Sequence, residues 1–167
     1  TFTHKQGFKM SKFLLLNLVL LLSKHQLLAH CQVPCGIYND VARIINIMED
    51  YKTIEKAMTK IVELTRAPDP TSKNQLVRWV NTKDEHATNI QNTVTNYFMT
   101  QRLKESSIKY TDQLTLLHKI LITSMLCKQT IDQKNPTRGL ELVNSFSKIY
   151  LDKHGAEHLK ELTGSGK

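Results

Sequence analysis

From Asp40 onward, apolar residues recur at helical spacing along most of the chain. Val41, Ile44, Ile45, Ile47 and Met48, then Ile54, Ala57, Met58, Ile61, Val62 and Leu64, predict a first helix from Asp40 to Thr65. Asn39 or Asp40 is a fair N-cap, and Ala67-Pro68-Asp69-Pro70 ends the helix. Thr71 or Ser72 can cap a second helix through Leu76, Val77, Val80, Ala87, Ile90, Val94 and Phe98 to about Arg102. After a break near Glu105-Ser106-Ser107, a third helix spans roughly Thr111 to Lys128, with Leu114, Leu117, Ile120, Leu121 and Met125 on its apolar face. Asn135-Pro136-Thr137 starts a fourth, which carries Leu140, Val143, Phe146, Ile149 and Tyr150 and ends near Gly155. Six glycines and four prolines are too few turn formers for a strand-rich domain of 167 residues. The expected fold is therefore all-α, an antiparallel four-helix bundle over residues 40–160, with 161–167 as a frayed, disordered tail.

The start of the chain reads differently. Met10-Ser11-Lys12 precedes the apolar run 13–22, and Ala29 supplies a small residue before the break. This is the pattern of a signal peptide, and the run is too short to span a membrane comfortably. Residues 1–29 are expected to be a cleaved leader, either a signal peptide or a pro-segment, removed by a protease acting after Ala29. A signal peptide implies a secreted or periplasmic protein, and a pro-segment leaves a cytoplasmic one open. The mature form is expected to have no membrane anchor.

Loss of the leader also changes the charge. The whole chain is formally +8, but removing the leader's four lysines leaves 19 basic residues against 15 acidic ones. That mild excess lacks the dense basic stripe of a nucleic-acid binder and suits a small anionic substrate. There is no Gly-rich phosphate loop, no internal repeat and no paired-carboxylate motif along a helix.

Between leader and bundle lies His30-Cys31-Gln32-Val33-Pro34-Cys35-Gly36-Ile37-Tyr38. Two cysteines, a histidine, a proline and a glycine in so short a stretch form a compact hook rather than a helix. The Cys31–Cys35 spacing is one residue longer than a thioredoxin-like motif, and a structural zinc site would need a second ligand pair of suitable spacing. Cleavage after Ala29 exposes a free amine at His30. The hook then offers that amine, the Cys31 amide nitrogen, two thiolates and the His30 imidazole. Two nitrogens and two sulfurs in a plane, with imidazole axial, suit a square-planar d8 ion such as nickel better than tetrahedral zinc. A strained Cys31–Cys35 disulfide, or a non-redox metal clip on a non-catalytic secreted bundle, is the alternative. Cys127, in an apolar helical run, reads as a plain buried thiol.

The motif His-Cys-x-x-Pro-Cys-Gly-x-Tyr resembles the nickel hook of nickel-containing superoxide dismutases. Glu49-Asp50, residues 53–58, 74–80 and 97–102 are also similar to a marine microbial branch of that family. The resemblance covers about residues 30–158. It implies a four-helix subunit in a homohexamer, one nickel per subunit, and disproportionation of superoxide to dioxygen and hydrogen peroxide by cycling between Ni(II) and Ni(III). By position, it makes His30, Cys31 and Cys35 the metal ligands. Tyr38 becomes the tyrosine lining the substrate approach, Tyr97 a second tyrosine near the site, and Pro34 the residue holding the turn. A related branch holds the imidazole with a first-helix glutamate and a second-helix arginine. Here the first region reads Arg43-Ile44-Ile45-Asn46 without the glutamate, and His86 is the nearest match to the arginine.

Overall fold

The computed structural model describes residues 39–164, and the leader and hook lie outside them. The described chain is all-helical: α1 (Asp40–Thr65), α2 (Pro70–Asn92) continued by a π-helix (Thr93–Arg102), α3 (Tyr110–Gln129), α4 (Lys134–Tyr150) and α5 (Lys153–Thr163). The first four helices pack in a closed ring, α1 on α2, α2 on α3, α3 on α4 and α4 on α1. This is the bundle expected from the periodicity, with α5 added against α1.

Helix α1 begins where expected. The Asn39 side chain accepts from the Val41 and Ala42 amides at 3.0 and 3.4 Å, satisfying two of the first-turn donors. The start of α2 differs from expectation. Asp69 is the cap, accepting from the Ser72 amide at 2.9 Å, and Pro70 occupies the first helical position. Proline there loses no hydrogen bond and presets the helical φ, so Asp69-Pro70 displaces Thr71 and Ser72 from the role. The fourth helix ends earlier than Gly155. The chain turns extended at Leu151, Asp152 accepts from the Gly155 amide at 2.8 Å, and α5 runs on to Thr163, into the stretch expected to fray. Gly164 closes α5 at φ 68°, a left-handed conformation that glycine adopts without steric cost.

The core is made by Ile44, Ile47, Tyr51, Ile54 and Met58 of α1 against Ala87, Ile90, Val94 and Phe98, Leu117 and Ile120, and Val143 and Phe146. On α3 the buried face is turned from the expected one: Thr123, Ser124 and Cys127 are inside, and Met125 is exposed. The reason is Tyr51. Its fully buried hydroxyl crosses the bundle, donating to the Ile120 carbonyl at 3.1 Å and sharing a 3.0 Å hydrogen bond with Ser124. Small polar residues on α3 receive it where a methionine could not.

Lys83 is the one buried charged residue among those described. Its Nζ donates to the Cys127 and Lys128 carbonyls, both at 2.8 Å, and to Asp84 at 2.7 Å. It thereby supplies the end of α3 with donors and a positive charge at the negative pole of the helix. Lys83→Met should lower stability to urea by about 1–3 kcal/mol, because buried carbonyls lose their partner. An unchanged midpoint would show that water serves those carbonyls as well. Cys127 is free and buried as expected, and burial pushes its thiol up to about 12, so it is inert as a nucleophile at neutral pH. No described helix is long and apolar enough to cross a membrane.

Candidate functional site

The hook joins the bundle at Asn39, so the residues that meet at the start of α1 are the first to consider. Asp40 is their centre. Tyr97 of the π-helix donates its hydroxyl to Asp40 Oδ1. Tyr150, at the end of α4, donates to Oδ2 at 2.8 Å, and Arg102 donates to the same oxygen at 2.6 Å. One carboxylate thus ties together three elements that are remote in sequence.

The aromatic rings beneath fix these hydroxyls in place. Phe98 meets Tyr97, Phe146 and Tyr150 edge-on at centroid distances of 5.1, 5.1 and 5.4 Å, and Phe146 stacks on Tyr150 at 4.9 Å. The π-helix matters here. Its wider turn, seen in the Leu103 amide bond to the Phe98 carbonyl at 2.9 Å, turns the neighbours Tyr97 and Phe98 both inward. The sequence reading carried one regular helix to Arg102 and did not foresee this.

Arg43 and Arg102 lie over the Tyr97 ring at 5.6 and 5.9 Å from its centroid. Burial first, and then the Asp40 hydrogen bond, hold the Tyr97 phenol well above its ordinary range. Burial likewise pushes Tyr150 up to about 12, with Asp40 adding to the rise against Arg102. Both tyrosines are therefore neutral hydrogen-bond donors at physiological pH. The Asp40 hydrogen bond raises the Arg102 pKa further, so its charge is fixed. The start of α1 is a rigid, positively flanked corner.

Asn39, Asp40 and Tyr150 also line a cleft of about 550 Å³ that reaches α5 at Asp152, His154 and His158. A second, polar cleft of about 410 Å³ lies further along α1, lined by Asn46, Asp50, Thr53, His86, Asn89 and Asn92 among others. There His86 Nδ1 and Asp50 Oδ1 are 2.6 Å apart. Burial raises the Asp50 pKa, opposed by the hydrogen bond and charge of His86. The pair orients the imidazole.

His86 thus has a carboxylate partner, but one turn beyond Asn46, where the sequence reading looked for one. His86 and Tyr97 are not brought into one cleft. Their partners Asp50 and Asp40 are separated by ten residues of α1, or about 15 Å of helix rise. Asp40, Arg102 and Tyr150 escaped the sequence reading. The one signal was that Arg102 closes the stretch 97–102 already singled out with Tyr97. His30, Cys31, Pro34, Cys35 and Tyr38 lie outside the described residues. Among the described residues, no three histidine, cysteine, aspartate or glutamate side chains are grouped so that they could hold a metal ion.

Comparison with known proteins gives one family. The model described as nickel-containing superoxide dismutase matches residues 25–154, a span that includes the whole hook. No curated protein and no solved structure matches the chain.

Proposed function

The chain belongs to the nickel-containing superoxide dismutase family, and from that premise we propose that it disproportionates superoxide at a hook formed by His30, Cys31 and Cys35. The observation that carries this reading is the intact sequence His30-Cys31 … Pro34-Cys35-Gly36-Ile37-Tyr38 inside the matched span. The donor set fits the metal. The terminal amine and imidazole of His30, the Cys31 amide nitrogen and the Cys31 and Cys35 thiolates would hold nickel, a set of strong anionic and σ-donating ligands that suits that ion. Bound there, nickel supplies the one-electron couple between its +2 and +3 states, which superoxide disproportionation requires.

The protein's own residues have other tasks. By resemblance to the family, Pro34 would hold the hook's turn and Tyr38 would line the substrate approach. Tyr97, kept neutral by burial and by Asp40, offers a fixed hydroxyl rather than a phenolate. The guanidiniums of Arg43 and Arg102 flank it and draw a small anion toward this end of the bundle. His86, oriented by Asp50, steadies the His30 imidazole in place of the glutamate and arginine used in the related branch. His86→Gln should reduce turnover about 10- to 100-fold, the usual effect of losing a residue that orients a metal ligand. The nitrogen hyperfine pattern of the oxidised nickel signal should change with it. An unaltered signal and rate would remove His86 from the site.

This reading requires the chain to begin at His30, and therefore cleavage after Ala29. It also carries one nickel per chain and a homohexameric assembly, and it takes the leader as an export signal. The direct test is superoxide decay followed by stopped flow with nickel-loaded protein beginning at His30. Catalysed decay that disappears when the metal is removed is the expected result. Decay no faster than in buffer would overturn the proposal.

A further inference from the structure

The cleft between the start of α1 and α5 is lined by two histidines that are not among the ligands proposed for the hook. His154 and His158 are four residues apart on α5, which places their side chains on one face of the helix, and both line the cleft. We propose that they form a second, open metal site that takes up a divalent nickel ion outside the hook. The proposal rests on nickel being the ion this chain carries.

The chemistry follows from which groups in the cleft are already engaged. Asp40 is occupied by Tyr97, Tyr150 and Arg102, and Asp152 caps α5 through the Gly155 amide. The two imidazoles remain. No hydrogen bond reaches His154 among the described residues, and its side chain is exposed. His158 Nδ1 lies 3.8 Å from Glu161 Oε2, beyond hydrogen-bond length, so no hydrogen bond among the described residues engages this imidazole either. Imidazole nitrogen selects nickel, copper and zinc over magnesium and calcium. Two histidines spaced i, i+4 on a helix are a recurrent chelate for such ions.

Among the described residues no third ligating side chain is grouped with them, and this determines what kind of site the pair makes. Two protein ligands, with water completing the shell, bind an ion that can still exchange. Such a site captures and releases nickel rather than keeping it. Asn39, which follows the hook directly in the chain, lines the same cleft.

The test uses the full chain carrying Cys31→Ser and Cys35→Ser, so that the hook thiolates are absent, titrated with Ni²⁺ alone. Saturable uptake of one ion is expected, with the His154 and His158 ring protons broadened in the NMR spectrum and those of His86 and His118 unaffected. Two donors at fixed spacing reinforce each other, so His154→Gln or His158→Gln should weaken binding about a hundredfold. No saturable uptake, or uptake indifferent to both substitutions, would overturn the proposal. The two readings fail separately. In the nickel-loaded mature protein with an intact hook, His154→Gln should leave the rate of superoxide decay unchanged. A chain that binds nickel in the cleft but lacks dismutase activity would retain this site and lose only the function proposed for the hook.

Discussion

Replacing Cys31 or Cys35 with serine is expected to abolish superoxide dismutation while leaving the bundle helical. The two halves of this result have separate causes. A serine hydroxyl has a far higher pKa than a thiol and is a hard donor, so it cannot replace the thiolate that the nickel set requires. The core of the described residues is made by side chains between Ile44 and Phe146. Activity should fall to the rate in buffer, with helical circular dichroism and the urea midpoint unchanged. Activity retained in either variant would sink the assignment of that sulfur as a ligand. Loss of the helical signal would mean that the hook also organises the bundle.

Gly139→Ala is expected to cause a large loss of stability, larger than Gly155→Ala. A Cβ at position 139 would stand 2.2 Å from Cε1 of Tyr51 and 2.3 Å from Cζ. The ring cannot swing away, because its hydroxyl is held by Ile120 and Ser124 on the far side of the bundle. Either α4 moves outward or Tyr51 gives up its hydrogen bonds. Overpacking of this kind costs about 3 kcal/mol. In a domain of this size that lowers Tm by about 10 °C. Tyr51→Leu, which removes the ring, should make the added methyl much less harmful, so the two substitutions should be strongly non-additive. Additive losses would show that the cost of the methyl arises from something other than the ring.

The same tyrosine illustrates what could be read from the sequence. Tyr51 completes the helical stripe Ile44, Ile47, Met48, Ile54, so its burial follows from periodicity. Its hydroxyl partners do not, because they lie 69 and 73 residues away. That is why the face of α3 was misjudged: Leu121 and Met125 are more apolar than Ser124, but Ser124 fits beneath a phenol. The break before α5 was obscured in a similar way. Ile149, Tyr150 and Leu151 extend an apolar pattern, and only Asp152, capping three residues later, interrupts it.

The candidate site divides along the same line. The hook was proposed from the sequence because its candidate donors are neighbours in the chain, so that no fold is needed to bring them together, and it lies outside the described residues. The corner at Asp40 is not legible, because its partners are 57, 62 and 110 residues distant. His86 was proposed by position, and its carboxylate partner Asp50 was not foreseen. Asp50 lies one turn from Asn46, and a shift of one turn preserves the face of a helix while changing the residue number. The π-helix left no trace in the sequence, since over so few residues its longer period is masked by the same apolar residues that make an α-helix.

The central claim is that a processed chain beginning at His30 carries nickel and works as a dismutase. The measurement that tests it most directly is the mass of the purified native protein, taken first denatured and then under native conditions. A denatured mass corresponding to a start at His30, with one nickel per chain in the native assembly, is the predicted result. A chain that keeps residues before His30, or one without nickel and lighter by two hydrogens, would contradict it. The second of these would identify a Cys31–Cys35 disulfide where the metal ligands were placed.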